Sequence, residues 1–200
     1  MQLWQDHTLA ANTLEVEMKR LSLLLSWVFA LVAPSSAWAA LDIGDRAPGF
    51  SIPAALGGNV FTFSLAEQLA KGPVVLYFFP QAFTEGCSLE AHQFAEATAQ
   101  FEALGAKVIG VSGDDIDTLS KFSTQVCQSK FAVASDQAKK VIQSYDAVMK
   151  QQPDYANRIS YVIAPNGSVV YNYVNLNPER HVERTLRALK EWAATAAKSK

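Results

Sequence analysis

Val74-Val75-Leu76-Tyr77-Phe78-Phe79-Pro80-Gln81-Ala82-Phe83-Thr84-Glu85-Gly86-Cys87-Ser88-Leu89-Glu90 is the stretch on which the fold turns. Its first six residues are continuously apolar and rich in β-formers, and proline bounds them on both sides at Pro73 and Pro80. That is the pattern of a strand covered on both faces. From Ser88 to Leu104 the apolar residues Leu89, Phe94, Ala97, Phe101 and Leu104 recur at helical spacing, and Gly105 supplies the stop. A central strand therefore runs through a short loop into a helix, with Cys87 at the junction. A thiolate at a helix N-terminus gains from the macrodipole and from unpaired N–H groups, so this position favours a reactive cysteine. Thr84, three residues earlier, can turn its hydroxyl back to the sulfur, and Pro80 closes the loop without offering a competing backbone donor. A buried, inert thiol at a strand–helix corner is the alternative on topology alone.

Outward from this unit, strand and helix signals alternate. Phe50–Pro53 and Val60–Phe63 flank Leu56-Gly57-Gly58-Asn59, which predicts an N-terminal β-hairpin with a Gly-Gly turn. Ser64 can cap a short helix through Leu69. Ala106–Ser112 is a second buried strand, and Asp114 or Asp115 caps a helix carrying Ile116, Leu119, Phe122 and Val126, with Cys127 near its end. A short strand follows at Phe131–Ala134, and Asp136 opens a helix toward Tyr145. Ile159–Ile163 and Ser168–Tyr173 enclose Ala164-Pro165-Asn166-Gly167, whose Asn-Gly pair accepts positive φ. The last helix starts near Pro178 and carries Leu186, Leu189 and Trp192. The order β-β-α-β-α-β-α-β-α-β-β-α predicts an α/β fold, a mixed central sheet with helices on both faces.

The 200 residues are 50% hydrophobic and 18% charged, which excludes a disordered or low-complexity chain. Seventeen Lys+Arg against nineteen Asp+Glu leave no basic surplus for a run of phosphates, so nucleic acid is not an expected partner. Met18-Lys19-Arg20 precedes the uncharged apolar run Leu21–Ala33, and Ala37-Trp38-Ala39 has the small residues of a signal-peptidase site. The run is shorter than the roughly 20 residues needed to span a bilayer. The expected organisation is an N-terminal extension over 1–17 preceding a start at Met18, a secretory signal over 18–39, and a mature domain over 40–200. An uncleaved signal anchor is the alternative. Removing Lys19 and Arg20 together with Asp6, Glu15 and Glu17 leaves 15 basic and 16 acidic residues, a nearly neutral domain without stable membrane association. The periplasm is the first expectation for its location and an internal lumen the second. In such an oxidising compartment the two cysteines, Cys87 and Cys127, are also candidates for a structural disulfide.

The spacing Pro80-x-x-x-Thr84-x-x-Cys87 at a strand end resembles the active-site motif of the peroxiredoxins, and Gly86-Cys87-Ser88-Leu89-Glu90-Ala91 resembles their Q-type, or bacterioferritin-comigratory, branch within the alkyl hydroperoxide reductase/thiol-specific antioxidant family. The likeness covers residues 42 to about 192, and includes Gly44-Asp45-Arg46-Ala47-Pro48-Gly49-Phe50 at the start and Asn157-Arg158-Ile159-Ser160-Tyr161-Val162-Ile163 near the end. It implies a thioredoxin-like fold with Cys87 as the peroxidatic cysteine and with Pro80, Thr84 and Arg158 around the peroxide. Arg158 is permanently charged and suits both the thiolate and the developing oxyanion; without the motif it would read as an ordinary strand-end arginine. Glu90 resembles the family's helix glutamate, which pairs with an arginine, and equally a solvated carboxylate. The chain departs from the branch at three places. Glu85 stands where proline is common and adds a negative charge beside the thiolate. Ala82 and Phe83 replace more polar residues and favour bulkier or less polar hydroperoxides. His92 occupies a position where some branch members carry a second cysteine; five helical residues rotate it about 140° from Cys87, which makes it a surface histidine.

Some Q-type relatives place a resolving cysteine in the helix that ends near Cys127, which assigns that role to Cys127; a structural disulfide and a free buried thiol are the alternatives. The resemblance thus implies an atypical two-cysteine peroxidase acting on hydrogen peroxide or an alkyl hydroperoxide, recycled by a thioredoxin-like or other dithiol donor. A monomer is the expected state. No cofactor and no metal is implied: the chain has no P-loop and no C-x-x-C, and His7, His92 and His181 lack ligand spacing. The rival functions are a disulfide reductase or isomerase, which the missing C-x-x-C opposes, and a non-catalytic thioredoxin-fold interaction protein.

Overall fold

The computed structural model describes residues 40–198. The segments read as an N-terminal extension and a secretory signal lie outside the described residues. Strands β1 (Ser51–Leu56) and β2 (Asn59–Ser64) form the expected hairpin, and both turn residues, Gly57 and Gly58, have positive φ. A two-residue turn of that kind matches the twist of the paired strands and suits glycine. Helix α1 (Leu65–Leu69) is capped by Ser64, whose hydroxyl accepts from the Glu67 N–H. Then follow β3 (Val74–Phe78), α2 (Glu85–Ala103), β4 (Lys107–Ser112), α3 (Ile116–Gln125), β5 (Ala132–Ser135), α4 (Lys140–Ser144), β6 (Ile159–Ile163), β7 (Val169–Val174) and α5 (His181–Lys198). A single 3₁₀ turn, Pro178–Arg180, leads into α5, so the proline opens the 3₁₀ turn rather than the α-helix. No helix among the described residues is long and apolar enough to cross a membrane.

The seven strands form one mixed sheet in the order β2-β1-β5-β4-β3-β6-β7. β3, β4 and β5 run parallel, and β1 and β6 flank them antiparallel. This is the thioredoxin-like arrangement expected from the element order. β3 is buried along its whole length, and its alternation splits the core in two. Val74, Leu76 and Phe78 join α1 and α4 on one face; Val75, Tyr77 and Phe79 join α2, α3 and α5 on the other. On the second face Tyr77 stacks on Phe94 at 4.4 Å between ring centroids, and Phe131 meets both rings edge-on. The neighbouring position on β4 is Gly110, where a Cβ would come within 2.7 Å of the Tyr77 ring. Only a residue without a side chain lets that ring lie flat against β4.

Four local expectations need correcting. α3 ends at Gln125, so Val126 is its cap and Cys127 lies in the turn beyond it, not in the helix. The cause is backbone: Gln128 and Ser129 both take positive φ and turn the chain sharply toward β5. Asp136 does not open the following helix, which begins at Lys140 with Lys139 as its cap and is only five residues long, but its carboxylate accepts from the N–H groups of Lys140 and Ile142. In the Asn166-Gly167 turn only Gly167 has positive φ; Asn166 instead accepts the Ser168 N–H. α2 starts three residues earlier than its apolar periodicity implies, at Glu85, which puts Cys87 inside the first turn.

Candidate active site

Cys87 is the third residue of α2. The first backbone hydrogen bond of the helix is donated by the Ser88 N–H to Thr84 O, at 2.8 Å. The N–H groups of Glu85, Gly86 and Cys87 therefore have no carbonyl one turn back, and they give this end of the helix its partial positive charge. The strand–helix loop is fixed from the other side. The Ala82 N–H donates to Asp114 Oδ2 at 2.8 Å, and the Ser112 hydroxyl reaches the same oxygen at 2.7 Å, so the end of β4 anchors the loop after Pro80. Phe83 takes positive φ and rests edge-on against Phe122, half exposed. A non-glycine residue in that region is strained, and here the ring contact and the Asp114 anchor hold it there.

Within α2 the positions 87, 90, 91 and 94 share one face, and all four are buried. That face meets Arg158, which immediately precedes β6. Arg158 Nη2 lies 3.4 Å from Cys87 Sγ, Nη1 donates to Glu90 Oε2, and Nε donates to Leu176 O at 2.9 Å. The guanidinium is thus fixed on three sides, with its charge directed at the sulfur. Gly86 makes the approach possible: a Cβ there would stand 3.3 Å from Nη2. Cys87 is 1% exposed and Glu90 is not exposed at all. Burial pushes the Glu90 carboxyl up to about 7, against the opposing pull of Arg158.

Of the six candidate residues, Cys87, Glu90 and Arg158 meet in direct contact, while Thr84 and Pro80 lie on the loop leading to Cys87. Arg158 and Glu90 form a buried pair, which removes the solvated reading of Glu90. Pro80 lies half-buried at the end of β3. Thr84 precedes the first turn of α2, but its hydroxyl donates to Gln81 O at 3.0 Å rather than to the sulfur. The loop carbonyl is the nearer acceptor in this conformation. Glu85 is exposed at the first position of the helix, and His92 is half exposed, bridging Gln128 at 2.9 Å and Glu96 at 3.2 Å.

The sixth residue, Cys127, stands apart. It is fully buried in the aromatic core cluster that also includes Cys87, and both cysteines are free thiols. Burial alone pushes its thiol far above the ordinary range. Its turn is closed by hydrogen bonds from the Cys127 N–H to Phe122 O and from the Lys130 N–H to Cys127 O, at 3.1 and 2.9 Å. Among the described residues no group of three or more His, Cys, Asp and Glu is placed to hold a metal ion.

Sequence reasoning missed His181. Its ring is fully buried, with Nε2 at 2.8 Å from Asn175 O, Nδ1 at 2.7 Å from Ser160 Oγ and 3.5 Å from Glu90 Oε1. The only local signal was its place just after Pro178-Glu179-Arg180, at a helix start.

The AhpC/TSA family profile matches residues 43–172. Among curated proteins, the chain is 33% identical over 155 residues to Peroxiredoxin Q, chloroplastic, of Gentiana triflora, covering 77% of this chain and 69% of the relative. It is 32% identical over 154 residues to a putative peroxiredoxin bcp of Helicobacter pylori, covering 74% of this chain and 98% of the relative. Among solved structures, peroxidoxin BcpB from Mycobacterium tuberculosis is similar with a TM-score of 0.68 and 25% identity, over 76% of this chain and 97% of the other. The reduced 2-Cys peroxiredoxin of Plasmodium vivax is similar with a TM-score of 0.68 and 26% identity, over 74% and 80%.

Proposed function

The chain belongs to the AhpC/TSA family of peroxiredoxins, the thiol peroxidases, and from that premise we propose that Cys87 is the sulfur that reduces hydrogen peroxide and alkyl hydroperoxides. The observation that carries this reading is the Arg158 guanidinium, 3.4 Å from Cys87 Sγ and held there by Glu90 and Leu176 O. A fixed cation beside the sulfur stabilises the thiolate and the charge that develops on the leaving oxygen. The Cys87 thiolate attacks one oxygen of the O–O bond. The S–O bond forms as the O–O bond breaks, and the leaving hydroxide or alkoxide takes a proton from water. Thr84 rotates its hydroxyl from Gln81 O to the bound peroxide, and Pro80 keeps the loop end free of a competing donor. Phe83, exposed beside Thr84, favours an apolar substituent on the peroxide.

Cys127 then acts as the resolving cysteine. Its sulfur displaces water from the Cys87 sulfenic acid and forms an intramolecular disulfide, which a thioredoxin-like dithiol reduces by exchange. The two cysteines are 40 residues apart in sequence, and Cys127 is fully buried, so the turn after α3 opens locally for the bond to form. The protein acts as an exported monomer, periplasmic after cleavage behind Ala39.

Peroxide consumption by purified protein with a thioredoxin-type donor tests the assignment. Cys87→Ser abolishes turnover, because a serine hydroxyl does not supply the anion at neutral pH. Cys127→Ser consumes the first equivalent of peroxide at nearly the parent rate and then stalls with a dithiol donor, while a small thiol restores turnover. Mass spectrometry after one equivalent shows an 87–127 bridge in the parent. Activity retained in Cys87→Ser overturns the nucleophile, and a lost first turnover in Cys127→Ser overturns the resolving role.

A further inference from the structure

Glu90 Oε1 is buried and has no hydrogen-bond partner, while Oε2 of the same carboxyl is taken by Arg158. His181 Nδ1 lies 3.5 Å from Oε1. The state of that imidazole follows from its other contacts. Nε2 lies 2.8 Å from Asn175 O, and a carbonyl only accepts, so Nε2 carries a hydrogen. In the neutral ring Nδ1 is then a lone pair, with the Ser160 hydroxyl at 2.7 Å on one side and Glu90 Oε1 on the other. The Ser160 hydroxyl donates to that lone pair, so with an ionised carboxylate it is Glu90 Oε1 alone that lacks a hydrogen. One added proton between Oε1 and Nδ1 gives Oε1 its partner, and the Ser160 hydroxyl turns to make room for it. Burial pushes His181 down to about 4 and Glu90 up to about 7, which puts the shared proton on the carboxyl side.

We infer that His181 is a positioning residue for the Cys87 site: its Nδ1 shares one proton with Glu90 Oε1, and that proton determines how much of the Arg158 charge is left for the sulfur. The inference rests on the peroxidase reading for its purpose, not for its chemistry. With the proton present the Glu90–His181 pair is neutral, and Arg158 is directed at Cys87 uncompensated. With the proton gone the carboxylate faces Arg158 from Nη1 and competes with the thiolate for the same cation. Serine at position 160 suits both states, since its hydroxyl donates to Nδ1 when the proton is gone and rotates away when Glu90 Oε1 carries the proton toward that nitrogen. The other groups facing the pair do not duplicate this function. Tyr77 on β3 is within electrostatic reach of Glu90 but is itself pushed to higher pKa by burial, so it carries no charge near neutral pH. On the β7 side the His181 ring meets Tyr173, whose ring carries Arg184 at 4.7 Å, and neither gives Nδ1 a hydrogen bond. Among the described residues, Arg158 acts electrostatically on both Glu90 and His181, and Cys87 lies against Arg158; these are what the proton acts upon.

The test reads the reactivity of Cys87 in a Cys127→Ser background, as the rate of alkylation by iodoacetamide from pH 5 to 9. His181→Gln keeps an amide N–H in place of Nε2–H and removes the titratable Nδ1; His181→Phe removes both. Without an acceptor for its proton, Glu90 ionises at lower pH in His181→Gln. Alkylation at pH 6 to 7 therefore falls by about tenfold, the equivalent of one pKa unit of lost coupling, and rejoins the parent curve at pH 9. In a Glu90→Gln background, where position 90 never becomes an anion, the pH-dependent gap between the parent histidine and His181→Gln disappears, whatever the absolute rate. A His181→Gln curve that superimposes on the parent overturns the inference, as does one lowered equally at every pH, which is what a merely structural histidine gives. His181→Phe, if it folds, follows His181→Gln; if it unfolds, the glutamine variant decides alone. Peroxide consumption is measured in parallel: its absence in the parent overturns the peroxidase reading, while the alkylation curves still decide the role of His181.

Discussion

Cys87 and Cys127 are both buried thiols in one aromatic core cluster, and their surroundings differ in two respects. Cys87 has a helix N-terminus beneath it and a guanidinium 3.4 Å away. Cys127 has only apolar packing, and its thiol is pushed far upward by burial with nothing to offset it. Equal burial therefore leaves two thiols in unlike electrostatic surroundings. The cation that separates them comes from a residue 71 positions along the chain. The contrast also orders the proposed chemistry: one thiol is ready in the closed fold, and the other becomes available only when its turn opens.

The largest change expected is the one that makes the Cys87 surroundings resemble those of Cys127. Arg158→Met keeps much of the stem and removes the charge and its donors. Stopped-flow reduction of peroxide should slow by on the order of 10²-fold or more. Glu90 would then be buried without a counter-ion, so a double variant with Glu90→Gln separates lost catalysis from lost stability. An unchanged rate in both would make Arg158 a structural cation only.

A smaller change reaches the same contact from the backbone. Gly86→Ala introduces a Cβ about where Arg158 Nη2 already has its contact limit, at 3.3 Å, so the guanidinium shifts by a few tenths of an ångström. The peroxide rate should fall by about tenfold, since this chemistry is sensitive to displacements below 1 Å. Thermal stability should move the other way, because alanine is up to about 1 kcal/mol better than glycine inside a helix. Paired measurements of rate and melting temperature check this; a fall in both would mean that the helix, not the arginine, was disturbed.

How much of this was legible in the sequence follows from how far apart the partners are. The element order was readable throughout, because alternating and helical periodicities, the Gly57-Gly58 turn and the caps at Ser64 and Asp115 are local signals. The Cys87 junction was readable for the same reason. Arg158 was singled out only through the resemblance, since nothing in its own neighbourhood separates it from a surface arginine. His181 was dismissed with the other histidines for lack of ligand spacing, and its contact with Glu90 spans the sheet, α2 and the start of α5. The placement of Cys127 in α3 failed by two residues, because the two left-handed positions that end the helix, Gln128 and Ser129, are neither glycine nor asparagine.

The smallest expected effect concerns Tyr77, which shares the core cluster of both cysteines. Tyr77 is fully buried, its hydroxyl has no hydrogen-bond partner, and its ring lies over Gly110. Burial raises its ionisation well above the ordinary value, with Cys127, Glu90 and Cys87 adding to the effect and Arg158 opposing it, so its tip senses both sulfurs. The hydroxyl bonds neither sulfur, and a buried polar group without a partner costs about 1–3 kcal/mol relative to an apolar one of the same shape. Tyr77→Phe keeps the stacking on Phe94 and the edge contact with Phe131 and removes only that oxygen. The variant should gain about 1 kcal/mol, which for a domain of this size raises the melting temperature by about 2–4 °C. The first-turnover rate with peroxide should stay at the parent value, since Arg158 and the helix N-terminus are untouched. A slower turnover with a dithiol donor but an unchanged first turnover would instead show that the hydroxyl meets Cys127 after its turn has opened. That outcome would move Tyr77 from the packing of the core into the resolving step.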